Sequence, residues 1–158
     1  MKILFYLSSI ISGLITIGAF TLLNSLTATF NPTRDLYGGG NGNTALFFLI
    51  VSGLFMCYFA FTVILMFKAY HEKKSKKLKL ILFGTYFVLT SVIFTRMLWD
   101  ANHLMSYINE NHPYMVVGLF SQFSNNIFFN FWTFIGSIAA LAILSFLIPN
   151  KNKNHIYE

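Results

Sequence analysis

Charge is what this sequence has least of. Only 10% of its 158 residues are charged and 56% are apolar, against about a quarter charged in ordinary soluble domains. A soluble core of this size could not hide so much apolar surface. The apolar residues also fall in long blocks without regular polar interruption, the pattern of membrane spans. Cysteine is nearly missing: Cys57 stands alone inside an apolar block. A single cysteine excludes an internal disulfide and a Cys-x-x-Cys relay, and with them the membrane thiol oxidoreductases. Cys57 reads as a small buried apolar side chain. Absent too is any Asp, Glu or His deep in a block. Proton- and cation-coupled transporters normally keep such a group near the midplane, and they commonly show an internal repeat. No repeat is visible here.

The net charge of +6 raises the question of nucleic acid, and its distribution answers it. Lys68, Lys73, Lys74, Lys76, Lys77 and Lys79 crowd one short connection between two apolar blocks, while Lys2, Lys151 and Lys153 lie near the ends and only Arg34 and Arg96 fall elsewhere. A nucleic-acid patch needs a folded surface or arm to present it. The positive-inside rule accounts for the same lysines as topology, so no nucleic-acid partner is expected. Such a cluster also attracts anionic lipid, as a by-product of orientation.

Four spans are expected, at about 3–23, 44–67, 80–98 and 126–148. The first, behind Lys2, has the shape of a signal peptide. Its length is nearer a full span, and the residues before Ala28 make a poor cleavage site, so it is expected to be retained. Ser8 with Ser12, and Ser9 with Gly13, are small residues four apart that let helix backbones approach closely. The connection 24–43 holds turn chemistry at Asn31-Pro32-Thr33 and a glycine-rich joint over 38–43. That joint lacks the Lys-Ser or Lys-Thr of a phosphate loop. Ser52, Gly53 and Cys57 offer small contact positions on the second span. The short connection 68–79 makes the second and third spans an antiparallel hairpin. Gly84, Ser91 and Thr95 share one side of the third span and are expected to face other helices.

The fold class is therefore an all-α membrane protein: a four-transmembrane-helix bundle in one domain over 1–158. With the lysine connection 68–79 in the cytoplasm, both termini lie inside and the connections 24–43 and 99–125 lie outside. The expected location is a bacterial cell membrane.

The most informative stretch is Phe94 to Glu110. At about 100° per helical residue, Arg96, Asp100, His103, Tyr107 and Glu110 fall in one narrow sector, opposite Met97, Ala101, Leu104, Met105 and Ile108. Nothing breaks a helix between Trp99 and Asn109, so the third helix is expected to project beyond the outer face until Pro113 stops it. Arg96 reads as an anchor that snorkels to the interface and pairs with Asp100, among Trp99, Tyr107 and Tyr114 of an interfacial belt. The alternative for Arg96 is contact with an anion or a quinone headgroup. Asp100, His103, Glu110 and His112 form a weak candidate metal set, because they come together only if the chain folds back after Asn111. No metal site, catalytic residue or cofactor is assigned, and haem lacks facing histidines.

On the fourth span, Gln122, Asn126, Asn130, Thr133 and Ser137 share a face. Amides facing lipid are costly, so Asn126, Asn130, Thr133 and Ser137 read as a helix-contact face. Arg96, Asp100, His103, Tyr107, Gln122 and Asn126 all lie near the outer boundary and are expected to wall an outward polar pocket.

The expected function is association: a small multi-pass protein, non-catalytic, serving as an accessory or regulatory subunit of a larger membrane complex. Its partners would be membrane lipid and another membrane protein or further copies of itself. A small oligomeric channel or carrier, with a polar path along the fourth helix, is the first alternative. An outer-face redox or metal-dependent subunit using Asp100, His103 and Glu110 is the second.

Overall fold

A computed structural model describes residues 2–29, 43–111 and 118–149. Within them the chain is helical, with no strand: α1 (Lys2–Ser25), α2 (Thr44–Glu72), α3 (Lys76–Asn111), α4 (Asn125–Phe128) and α5 (Phe131–Leu147). The turn at 31–33, the glycines at 38–42, Arg34, His112, Pro113, Tyr114 and the tail from 150 lie outside the described residues.

Three of these helices, α1, α2 and α3, are long and apolar enough to cross a membrane by length and composition, consistent with a helical membrane protein. α3 runs unbroken for 36 residues, about 54 Å at 1.5 Å per residue, against a hydrocarbon layer of about 30 Å. α5 is apolar but has only 17 residues. The uninterrupted fourth helix expected over 126–148 is in fact split. α4 is a single turn, and the chain is extended at Asn130, where the Asn130 carboxamide accepts from Thr133 N at 3.0 Å. The Thr133 hydroxyl lies 3.0 Å from both the Asn130 N–H and the Asn130 carbonyl. This reciprocal cap satisfies the first-turn N–H groups of α5 and restarts the helix there.

The packing order follows from small residues. α1 and α2 pack along Ser9, Ser12, Gly13 and Thr16, all buried. A Cβ on Gly13 would stand 2.9 Å from the Phe59 ring, so only glycine allows this approach. Thr62 donates its hydroxyl hydrogen to Phe59 O at 2.8 Å, leaving Ser9 to donate to Thr62 across the interface at 2.9 Å. Ser8 likewise donates to Phe5 O, and the Tyr58 hydroxyl donates to Ser8 at 2.7 Å.

α5 then packs against both α2 and α3. Gly136 is its point of closest approach to α3: an added Cβ would meet Ile93 Cγ2 at 2.9 Å. α2 and α3 do not lie together along their length as the expected hairpin. A tight turn at 73–75 joins them, closed by Lys74 N to His71 O at 3.0 Å. Ring contacts link Phe67 and His71 to Tyr86 nearby, and α5 packs against both helices beyond that. The order is α1, α2, α5, α3, with α1 and α3 at the ends of the row.

Several small residues do not do what their spacing suggests. Gly84, Ser91 and Thr95 are exposed on α3, and Cys57 is exposed on α2. No atom lies within 4 Å of a Cβ built on Gly53 or Gly84. The intramolecular contacts belong instead to Ser9, Ser12 and Gly13 of α1 and to Gly136, Ala139, Ala142 and Ser145 of α5, all buried.

A polar clamp sits at each end of the bundle along the helix axes. At the lysine end, Ser145 donates to Ala142 O at 2.6 Å, so its oxygen must accept from His71 Nδ1 at 2.9 Å. His71 is 4% exposed and stacks on Phe146 with ring centroids 4.0 Å apart. Lys68 Nζ donates to Pro149 O at 3.0 Å beside it. At the far end, Asn43 caps α2 by accepting from Ala45 N and also pairs with buried Asn125 of α4.

Candidate functional site

The site is built on the C-terminal half of α3, where its charged residues begin at Arg96. Ala101 and Ile108 face inward, and Ile108 packs with Phe123, Leu104 and Ala28. The chain 26–29 is held to the segment before α4 by Ala28 N to Gln122 O at 2.8 Å. The apolar stripe read from the sequence is thus the seat of a small cap around the end of α3. The polar sector is left facing outward, as the helical period requires.

Arg96 sits at the base of that sector. Its Nε donates to Asp100 Oδ2 at 2.9 Å, and its Cζ lies 4.8 Å above the Trp99 ring. The side chains of Arg96 and Asp100 remain 69% and 34% exposed. An i,i+4 ion pair this open is worth only about 0–1 kcal/mol, so it orients the guanidinium more than it stabilises the fold. The Arg96 Nη nitrogens and Asp100 Oδ1 have no hydrogen-bond partner among the described residues.

Beside this pair, between α3 and the α4–α5 break, runs a cleft of about 590 Å³. On the α3 side it is lined by Leu89, Val92, Ile93, Arg96, Met97 and Asp100. The opposite wall is Asn126, Ile127, Asn130, Trp132 and Thr133. Arg96 and Val92 also border a shallower groove of about 450 Å³ with Ser91, Thr95 and Trp99. Arg96 therefore stands on a crest between the cleft toward α5 and the open side of α3.

Of the residues assigned to an outer pocket, Arg96, Asp100 and Asn126 line the cleft. His103 stacks on Trp99 with centroids 5.5 Å apart and lies off it. Tyr107 and Gln122 do not line it either; each offers its backbone carbonyl, to Asn111 Nδ2 and Ala28 N respectively. Asn130 and Thr133 do line the cleft, but their polar groups serve the cap: Asn130 Nδ2 donates to the carbonyls of Asn126 and Ile127. Ser137 donates to Thr133 O at 2.8 Å. Among the described residues, no three His, Cys, Asp or Glu side chains converge as a metal would require. Asp100, His103 and Glu110 are successive positions along one helix.

Two contributions went unread in the sequence. Trp132, 67% exposed in the first turn of α5, forms part of the cleft wall. Leu89, Val92 and Ile93 supply its apolar half. The available signal was Asn130 three residues before Thr133, which is cap spacing and places Trp132 at a helix start.

No protein-family model matches the chain, and neither a curated protein nor a solved structure matches it.

Proposed function

We propose that this chain is a small multi-pass membrane protein that works by association, as an accessory or regulatory subunit of a larger membrane complex. In this reading α5 is a fourth crossing, the turn at 73–75 and both termini are cytoplasmic, and the cleft end of α3 faces out of a bacterial cell. Lysine placement supports that orientation.

The observation that carries the reading is the open side of α3. Gly84, Ser91 and Thr95 form an exposed line of small side chains on a helix whose main packing among the described residues is against α5 and α4. Between helices in lipid, such positions allow close backbone approach and hydroxyl hydrogen bonds. The comparable lines, Ser9, Ser12, Gly13 and Thr16 on α1 and Gly136, Ala139, Ala142 and Ser145 on α5, are buried against another helix. A transmembrane helix of a partner, or α3 of a second copy, is the occupant this side suits.

Cross-linking in native membranes tests it, using a Cys57→Ser background with Ser91→Cys or, as control, Val51→Cys on α2. Discrete adducts at position 91, lost when Gly84→Leu is added, are expected. Equal or absent cross-linking at both positions, with a lone monomer by native mass measurement, would reject association.

A further inference from the structure

The cleft between α3 and the α4–α5 break has two chemically distinct halves, and its polar half carries both signs of charge. Arg96, Asp100 and Asn126 lie toward the cap, and Ile93, Val92 and Leu89 run from about 5 to about 10 Å deeper along α3 than Arg96, at 1.5 Å per residue. The residues that border it remain open sideways: Val92 is 62% exposed and Trp132 67%. A ligand entering here presents a polar head beside Arg96 and an apolar chain running down α3. That is the shape of a membrane lipid, not of a soluble metabolite.

The charges narrow the head. With Nε fixed on Asp100, the Arg96 Nη groups are oriented as a fork that suits a phosphate. The unengaged Oδ1 of Asp100 is an acceptor one helical turn beyond. A head with phosphate and a cation close together satisfies both; a purely anionic head satisfies only Arg96 and meets the Asp100 carboxylate. The cation must also donate N–H to Asp100, which a primary ammonium does and a trimethylammonium does not. The face of Trp99, one attraction open to a trimethylammonium, is already covered by Arg96. The exposed Trp132 ring on the opposite wall attracts either kind of cation and so does not favour the trimethylammonium. Asn126 has no side-chain hydrogen bond among the described residues and offers the phosphate a further donor.

We infer that this cleft is a binding site for a phosphoethanolamine-headed lipid, phosphate on Arg96 and ammonium on Asp100. The inference rests on a membrane location but not on the partner docking proposed for the open side of α3, so either can fail alone.

The test uses the full chain, purified in detergent and exchanged against vesicles with equal parts phosphatidylethanolamine, phosphatidylcholine and phosphatidylglycerol. Retained lipid is counted by native mass spectrometry. Phosphatidylethanolamine is expected to be retained about three- to fivefold over each of the others, the range an exposed charge contact supports. Asp100→Asn should abolish its advantage over phosphatidylglycerol, and Arg96→Gln should reduce retention of all three. Glu110→Gln, away from the cleft on the same helix, should change nothing. Val92→Trp, which fills the apolar half, should lower retention while leaving helicity intact. Equal retention of the three lipids by the unmodified chain, or a preference that survives Asp100→Asn, would overturn the assignment. Saturable binding of soluble phosphoethanolamine, unaffected by Val92→Trp, would likewise overturn it by showing that the head alone is recognised.

Discussion

Asn43 and Asn125 hold each other by both ends of their carboxamides: Asn43 Nδ2 donates to Asn125 Oδ1 at 2.9 Å, and Asn125 Nδ2 donates back at 3.1 Å. Asn125 is 2% exposed and also donates to Leu26 O at 3.2 Å. One side chain therefore ties together the chain leaving α1, the cap of α2 and α4. Asn125→Leu removes the Asn125 side of every bond in this set and leaves Leu26 O and Asn43 Nδ2, both partly buried, without that partner. The expected loss is about 1–3 kcal/mol, read by equilibrium unfolding in mixed detergent micelles. Asn43→Ala should cost about 1 kcal/mol more than its share of the pair, through the lost α2 cap. The double variant should be less damaging than the sum.

At the lysine end, the His71–Ser145 contact makes a sharper prediction. Ser145→Ala strands the Nδ1 hydrogen in an aromatic box and is expected to destabilise by about 1–3 kcal/mol. His71→Phe added to Ser145→Ala removes both polar partners and keeps a ring against Phe146. It should recover most of that loss, because replacing a whole buried pair with apolar groups is nearly neutral. A double variant less stable than Ser145→Ala alone would show that His71 Nε2, buried and unpartnered among the described residues, contributes through a partner outside them.

Two glycines separate close approach from helix propensity. Gly136→Ala drives a methyl to 2.9 Å from Ile93 Cγ2, close to the α3 backbone where little can give. Overpacking of this kind costs about 1–3 kcal/mol, and Ile93→Ala should relieve it. Gly18→Ala meets nothing within 4 Å and should be neutral or stabilising by up to about 1 kcal/mol. Thermal unfolding of Gly136→Ala, of Gly136→Ala with Ile93→Ala, and of Gly18→Ala distinguishes these outcomes.

Asn130→Ala should lose about 1 kcal/mol through the α5 cap, whereas Asn130→Asp, whose carboxylate still accepts from Thr133 N, should lose less. Loss of cap should also let the break at 129–130 move, which hydrogen exchange at Thr133 N would report as faster exchange.

The parts of this fold that depend on composition alone were legible in the sequence. Long apolar blocks mark α1, α2 and α3, and the absence of a breaker from Trp99 to Asn109 marks the extension of α3. The α4–α5 break was not legible as a break. Asn126 and Asn130 lie four apart, which reads equally as one helix face or as a helix end followed by a cap, and only the local hydrogen bonds decide. Cys57, Gly84, Ser91 and Thr95 illustrate a second limit. In lipid a small residue is suited to contact but not compelled to it, and hydropathy carries no information about which helices are neighbours. For the cleft, the charged half was readable because Arg96 and Asp100 are rare in such a chain. The apolar half was not, since Val92 and Ile93 resemble every other lipid-facing residue.

The position of α5 has a consequence for how the protein is made. Among the described residues α3 packs mainly against α4 and α5, both of which are synthesised after it. α1 and α2 have each other as partners once both are made, whereas α3, joined to α2 by a turn of three residues, has its main partners still to come. The last helix then has to arrive alongside two that are already linked. Until it does, Ile93 and Phe94 are uncovered, so this face of α3 is closed by a part of the chain made after it.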